Sequence, residues 1–178
     1  MKSISFPIRS FSCLLAGFLF SLSSPASRAA DSPLDSADKS FVTDAYSDGL
    51  AEISVAELAQ NKTANADVKA FAAQIIADHT QANGDLKNIA DAKNVPVATS
   101  PSVTAQAKSK LLDVRSGNSF DKAFADDMVS DHKKAIEAFE KASNDAQDSD
   151  VKAFATKVLP KLKEHLSMAE ALQQKLGK

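Results

Sequence analysis

The side chains of this sequence best suited to metal chemistry are three histidines, each of which directly follows an acidic residue. The pairs are Asp78-His79, Asp131-His132 and Glu164-His165. Each pair lies near the middle of a different amphipathic segment, with the histidine on the apolar stripe. Imidazoles and carboxylates that converge from separate helices form metal sites in bundles. The same groups can also form a buried hydrogen-bond network without a metal.

A fourth segment supplies a glutamate, Glu52, at a matching position. With a rise of about 1.5 Å per residue, the distances from the connecting turns place one side chain per helix at roughly one height. These four side chains are Glu52, His79, His132 and His165. The acid before each histidine lies about 100° around the helix, so we expect it to reach the next helix as a ligand or as the acceptor that fixes a tautomer. The candidate metal ligands are therefore Glu52, His79, His132, His165, Asp78, Asp131 and Glu164.

Imidazole and carboxylate ligands favour iron, manganese or zinc, and favour copper less because no thiolate is available. Di-iron bundles use Glu-x-x-His, but here Ile76, Val129 and Leu162 stand three residues before the histidines. This departure argues against an ordinary di-iron oxidase and for a mononuclear site. Neither a phosphate-binding glycine loop nor a nucleophile elbow occurs, and we assign no catalytic residue.

Helical periodicity dominates the chain and defines the elements that must position these residues. Four long helices are predicted at 41–61, 66–93, 120–144 and 149–176, and a short helix is predicted at 103–112. Two short turns and one long connection predict an all-α, ferritin-like four-helix bundle, with one long crossover between helices two and three. The bundle would span residues 41–178, after a disordered lead at 30–40. The sequence Asp-Val-Lys-Ala-Phe-Ala opens helix two at 67–72 and helix four at 150–155, which supports two related hairpins.

Residues 1–29 have the pattern of a cleavable signal peptide. A basic start is followed by an apolar run at 11–22 and by a stretch of mostly small residues at 23–30, with cleavage expected after Ala29. The run is shorter than the roughly 20 residues of a membrane-spanning helix. We therefore expect an exported protein, periplasmic or associated with the outer membrane, without a transmembrane span in the mature chain.

Removal of this segment would change the chemistry of the chain. It contains Cys13, the only cysteine, so the exported protein would have neither a disulfide nor a thiolate ligand. It also contains Lys2, Arg9 and Arg28, so the 21 basic residues would fall to 18 against 23 acidic ones. This acidic excess argues against a nucleic-acid partner, because phosphate binding depends on lysine and arginine.

The sequence resembles the bacterial exported family known as domain of unknown function 4142. The resemblance rests on several short stretches distributed over 41–176: Gly49-Leu50-Ala51-Glu52, Val68 to Ala72, Asp78-His79, Ser116-Gly117, Phe120-Asp121, Asp131-His132, Leu159-Pro160 and Glu164-His165-Leu166. It implies a ferritin-like bundle of the periplasm or envelope, and it implies no established activity.

Two functional hypotheses follow. In the first, the protein binds a metal ion through its mid-bundle histidines and carboxylates, in metal handling or envelope stress. In the second, it is a non-catalytic structural or interaction protein of the envelope, with a buried polar network and no metal. An enzyme is the less favoured class. Besides a metal ion, the possible partners are the cell envelope and a second copy of the chain in a homodimer.

Overall fold

The computed structural model describes residues 33–177, which form five α-helices and no strand. The helices are α1 (Ser36–Lys62), α2 (Ala66–Ala92), α3 (Val103–Asp113), α4 (Gly117–Asp145) and α5 (Ser149–Gly177). The predicted all-α class is confirmed, and the long helices α1, α2, α4 and α5 correspond to predicted helices one to four. The predicted signal peptide lies outside the described residues, as do the first residues of the predicted lead.

The helix starts follow from short polar side chains that accept backbone hydrogen bonds. Asn65 caps α2, as predicted, by accepting from the backbone nitrogens of Asp67 and Val68. At α1, Asp35 accepts from the backbone nitrogen of Asp38 at 2.8 Å. The helix therefore begins at Ser36, and the prediction of a disordered lead is wrong for residues 36–40.

Asp38 holds the start of α1 against the turn that joins α4 and α5. It is buried, and its Oδ2 accepts from the backbone nitrogens of Gln147 at 3.0 Å and Asp148 at 2.7 Å. These amides precede α5, where the first turn of a helix leaves backbone donors unpaired. The polar sequence of this segment predicts disorder, but the segment is held in place by a hydrogen bond to a residue about 110 positions away in the chain.

The four long helices form two antiparallel hairpins, α1 with α2 and α4 with α5. Across the bundle, α1 packs against α4 and α2 packs against α5. The connection between the hairpins runs along the length of the bundle and contains α3, which packs against α1 and α4. This arrangement confirms the predicted ferritin-like bundle with one long crossover.

The apolar core consists of two clusters, one toward each end of the bundle. The cluster at the α1–α2 turn end includes Phe71, Phe120, Phe124, Leu172 and Val68. The cluster at the α4–α5 turn end includes Phe139, Val151, Phe154, Leu86 and Val42. The repeated hexapeptide therefore places Val68 and Phe71 at one end and Val151 and Phe154 at the other. The histidines lie between the clusters.

Candidate metal centre

Each long helix contributes one buried titratable side chain to the middle of the bundle. These side chains are Glu52 from α1, His79 from α2, His132 from α4 and His165 from α5, and we call them the histidine layer. The centroids of the three imidazole rings are between 5.3 and 5.8 Å apart. The structure thus brings together the four residues that periodicity and chain distance place at one height.

The outward-facing nitrogens of two imidazoles are held by groups that only accept hydrogen bonds. His132 Nδ1 donates to the carbonyl oxygen of Met128 at 2.9 Å, and His165 Nε2 donates to Asp78 Oδ2 at 2.8 Å. Because a carbonyl oxygen and an ionised carboxylate have no proton to give, both outward nitrogens must carry hydrogen. The inward-facing nitrogens of these rings are therefore unprotonated when the rings are neutral.

Those two inward-facing nitrogens lie close together. His132 Nε2 and His165 Nδ1 are 3.3 Å apart. When both rings are neutral, this contact directs two lone pairs at each other. A second proton on one ring, or a cation between the rings, converts the repulsion into attraction. The pair is therefore a binding geometry for a cation, either a proton or a metal ion.

Glu52 faces the same point from α1. Its Oε2 lies 2.9 Å from His79 Nε2 and 3.6 Å from His132 Nε2. Although the 2.9 Å contact has the length of an ion pair, neither Glu52 Oε2 nor His79 Nε2 has a well-aligned hydrogen-bond partner within residues 33–177. Buried polar atoms are satisfied in the great majority of cases. These two atoms therefore mark the layer as a place where a further partner would be stabilised.

The charges of the layer change the pKa values of its members. Burial opposes ionisation of Glu52, but the charges of His79, His132 and His165 and the close contact with His79 outweigh it and lower the pKa of Glu52 to about 2. Burial lowers the pKa of His79, but Glu52 and Asp78 outweigh burial and raise that pKa above its ordinary value. Burial, together with the charges of His79 and His132, lowers the pKa of His165 despite its bond to Asp78. The layer thus contains an ionised carboxylate between imidazoles of unequal basicity.

Asp78 orients His165 from the neighbouring helix. Its Oδ2 also accepts from Gln74 Nε2 at 2.6 Å and lies 3.8 Å from Lys161 Nζ. Burial raises the pKa of Asp78, but the hydrogen bonds from Gln74 and His165 and the charge of Lys161 outweigh burial and lower it. Asp78 therefore remains an acceptor and fixes the tautomer of His165, which is one of the two roles predicted for it.

The other two acids that precede histidines do not reach the histidine layer. Asp131 Oδ2 pairs with Lys108 Nζ of α3 at 2.7 Å. Glu164 is exposed and pairs with Lys161 Nζ at 2.8 Å. The expectation that every acid before a histidine reaches the site therefore holds for Asp78 alone. In both cases the carboxylate faces away from the bundle axis and pairs with a lysine.

Sequence reasoning missed a close contact between α1 and α2 beside the layer. Gly49 lies one turn before Glu52, and Asn83 lies one turn after His79. A Cβ on Gly49 would lie 2.9 Å from Asn83 Cγ, and Asn83 Nδ2 donates to the carbonyl oxygen of Tyr46 at 3.2 Å. A glycine inside a helix costs about 1 kcal/mol relative to alanine. The occurrence of Gly49 within a predicted helix was therefore the sequence signal that could have indicated a close contact there.

Within residues 33–177, none of the helices is long and apolar enough to cross a membrane. Two solved structures share the fold at low sequence identity. A DUF305 fragment from Deinococcus radiodurans is 13% identical, with a TM-score of 0.72 over 81% of this chain and 99% of that chain. A DUF305 protein from Streptomyces coelicolor, described as a candidate secreted protein, is 17% identical, with a TM-score of 0.69 over 80% of this chain and 95% of that chain.

These two likenesses concern the fold alone. No curated protein matches the chain. The family described as domain of unknown function (DUF4142) matches residues 23–172, which include all four members of the histidine layer. The protein therefore belongs to the DUF4142 family.

Proposed function

We propose that the protein binds a divalent first-row transition-metal ion at the histidine layer. The observation that carries the proposal is the 3.3 Å approach of His132 Nε2 to His165 Nδ1, with both outward nitrogens committed as donors. An ion between these nitrogens would accept both lone pairs. Glu52 Oε2 and His79 Nε2 are the further ligand atoms. The Glu52 carboxylate would offset one of the two positive charges.

The spacing of these atoms suits a small tetrahedral ion. Zinc–nitrogen bonds of about 2.0–2.1 Å imply ligand atoms about 3.3–3.4 Å apart. The separation of 3.3 Å between His132 and His165 matches that edge, and the Glu52 contacts of 2.9 and 3.6 Å lie on either side of it. A ligand atom of each imidazole lies within 4.8 Å of the others, so a shift of at most about 1.5 Å in one ring would bring it to that edge length.

The ligand types restrict the choice of ion. Three imidazoles and one carboxylate suit zinc, iron(II) and manganese(II), whereas calcium and magnesium prefer oxygen ligands. When bound, such an ion supplies Lewis acidity at the centre of the bundle. The residues of the chain hold the imidazoles in fixed tautomers, and Asp78 and the Met128 carbonyl do so from outside the layer.

The proposal is tested by measuring metal in the purified native protein, residues 30–178, made without a histidine tag. We expect close to one ion per chain by elemental analysis. After removal by a chelator, zinc, iron(II) or manganese(II) should raise the melting temperature, because a ligand of the folded state stabilises it by about 2.7 kcal/mol at 100 times its Kd. A protein that contains no ion and whose melting temperature responds to none of them would refute the proposal.

Matched substitutions locate the site. His79→Gln and His165→Gln keep side-chain length and should reduce metal affinity by at least about tenfold while the helical circular dichroism is retained. Asp131→Asn and Glu164→Gln remove acids that lie outside the layer and should leave affinity unchanged. Equal affinity in all four variants would place the metal elsewhere.

A second candidate function uses the same contacts without a metal. Glu52 contacts His79, and His132 contacts His165, which in turn donates to Asp78. The 3.6 Å approach of Glu52 Oε2 to His132 Nε2 joins these two groups into one set that can share an additional proton. In this alternative the layer is a structural hydrogen-bond network of an envelope protein. Imidazole nitrogen chemical shifts would separate the two, because zinc shifts the inward nitrogens whereas a shared proton leaves them sensitive to pH.

We further propose that the protein is exported and serves metal handling or envelope stress in the periplasm or at the outer membrane. Support comes from the signal-peptide pattern of residues 1–29 and from the description of the Streptomyces coelicolor relative as a candidate secreted protein. Cell fractionation and N-terminal sequencing of the mature protein test this location. A full-length chain that remains in the cytoplasm would contradict it.

A further inference from the structure

A cavity of about 910 Å³ lies between the two hairpins on the α4–α5 turn side of the histidine layer. Three helices present alanine to this space on that side of the layer: Ala45, Ala82 and Ala135. All three are half-buried. In the other half of the bundle, large side chains such as Phe71 and Phe124 fill the corresponding space. Small residues at core positions therefore leave room for a ligand.

The histidine layer forms one wall of this cavity. Glu52, His79 and His165 line it, whereas His132 is fully buried and does not. An ion held by the layer would therefore have its accessible side toward the cavity. A four-coordinate zinc ion can expand to five-coordinate when a further ligand reaches it from its accessible side.

The surface of the remaining walls is mostly apolar, and charged side chains from all four long helices also line the cavity. Among the apolar lining residues are Phe41, Leu86, Phe139, Phe154, Val158 and Leu162. At one edge, Asp85 and Lys157 neutralise each other in an ion pair of 2.9 Å. The only polar atoms in the lining that combine burial with an unsatisfied hydrogen bond, within the described residues, are those of Glu52 and His79. The complementary ligand has an apolar body and one polar head directed at the layer.

The charge at the histidine layer determines which polar head group the ligand should have. A divalent ion with three neutral imidazoles and the Glu52 carboxylate leaves one positive charge at the layer, because the further carboxylate, Asp78, faces Lys161 at 3.8 Å. A buried charge without a counter-charge is costly. A monoanionic head neutralises it. We propose that the cavity binds a medium-chain carboxylate, with its apolar chain between the hairpins and its carboxylate on the ion at the histidine layer. This inference rests on the proposed metal site.

Decanoate and decan-1-ol are suitable probes, because they share the chain and differ in the charge of the head. In zinc-loaded protein, isothermal titration should give at least about tenfold tighter binding for decanoate than for decan-1-ol, and this preference should disappear after zinc removal. Equal binding of both probes to zinc-loaded protein would overturn the assigned head group. Failure of both probes to bind would overturn the cavity site, although zinc stoichiometry would still report on the metal site.

Cavity-filling variants test the location of the chain. Ala82→Phe and Ala135→Phe should weaken decanoate binding by at least about tenfold while zinc binding and helical circular dichroism are retained. Ala70→Phe, on the exposed face of α2, is the matched control and should bind as the wild type does. Unchanged decanoate affinity in the two folded cavity variants would overturn the inference. If zinc does not bind even the wild type, the carboxylate–ion contact fails with the proposed function, and decan-1-ol binding alone decides whether the cavity is a ligand site.

Discussion

Replacing Glu52 with glutamine should destabilise the metal-free protein by about 3 kcal/mol near pH 5, above the ordinary pKa of the Glu52 carboxyl and below that of His79. The magnitude follows from the pKa of Glu52, which is lowered from its ordinary 4.5 to about 2 by the surrounding imidazoles. One pKa unit corresponds to about 1.4 kcal/mol of interaction with the charged form. Glutamine retains the volume of the side chain and removes its charge, so packing changes little and the electrostatic contribution is isolated.

The pH dependence of this effect has a definite sign. Because the pKa of Glu52 is lower in the folded protein than in the unfolded chain, its stabilisation is complete above pH 4.5 and is lost as the pH falls toward about 2. The wild-type free energy of unfolding should therefore fall over this window by about 3 kcal/mol more than that of Glu52→Gln. The contribution of His79 to stability has the opposite dependence on pH. Its pKa is raised, so its contribution is present below 6.5 and is lost as the pH rises through the folded value.

Urea unfolding followed by circular dichroism, in a chelator and between pH 2 and 8, measures both effects. Glu57→Gln is the matched control, because Glu57 lies on the exposed face of the same helix. It should change stability near pH 5 by less than about 0.5 kcal/mol. If Glu52→Gln has the stability and pH slope of this control, the imidazoles do not stabilise the Glu52 carboxylate and the electrostatic account of the layer is wrong.

Three other substitutions test the contacts around the layer and at the bundle end. Gly49→Ala should reduce the free energy of unfolding by about 1–3 kcal/mol in chemical denaturation, because its Cβ would displace Asn83. Asp38→Ala should reduce it by about 1–2 kcal/mol, because two backbone donors before α5 lose their acceptor. Asp78→Asn should weaken zinc binding about 10- to 100-fold in competition titrations, because His165 loses the carboxylate that fixes its tautomer.

Each of these substitutions has a control within the chain. Gly84→Ala, where nothing lies within 4 Å of the added Cβ, should be neutral or should stabilise α2 by up to about 1 kcal/mol. Asp44→Ala removes an exposed acid of α1 and should leave stability close to that of the wild type. Glu164→Gln should leave zinc affinity unchanged. A variant that cannot be distinguished from its own control would contradict the corresponding contact.

Periodicity and turn chemistry predicted the helices, their pairing and the long crossover. These features depend on local signals, such as the Asn65 cap and the apolar stripes. The start of α1 was not predictable in the same way. Its stabilising acceptor, Asp38, pairs with amides that are more than 100 positions away in the chain. Considered without that distant partner, the sequence of this segment shows only that it is polar.

The sequence predicted the height of the site residues along the bundle, but it predicted only in part the direction in which their side chains point. Counting residues from the turns placed the three histidines and Glu52 in one layer, because helical rise is nearly constant. Whether an acid 100° away faces a neighbouring helix or a lysine depends on how the helices are rotated in the bundle. Asp78 faces His165, whereas Asp131 faces Lys108 of the crossover. The tautomers likewise depend on partners in three dimensions.

The alanine-lined space gives the two ends of the bundle unequal resistance to local opening. Amide hydrogens near Phe71 and Phe124 lie behind a filled interior, whereas those near Ala82 and Ala135 border a void. Regions with fewer apolar contacts open at lower free energy and exchange their amide hydrogens sooner. Deuterium uptake should therefore begin on the α4–α5 side, and a molecule that fills the void would slow it there first.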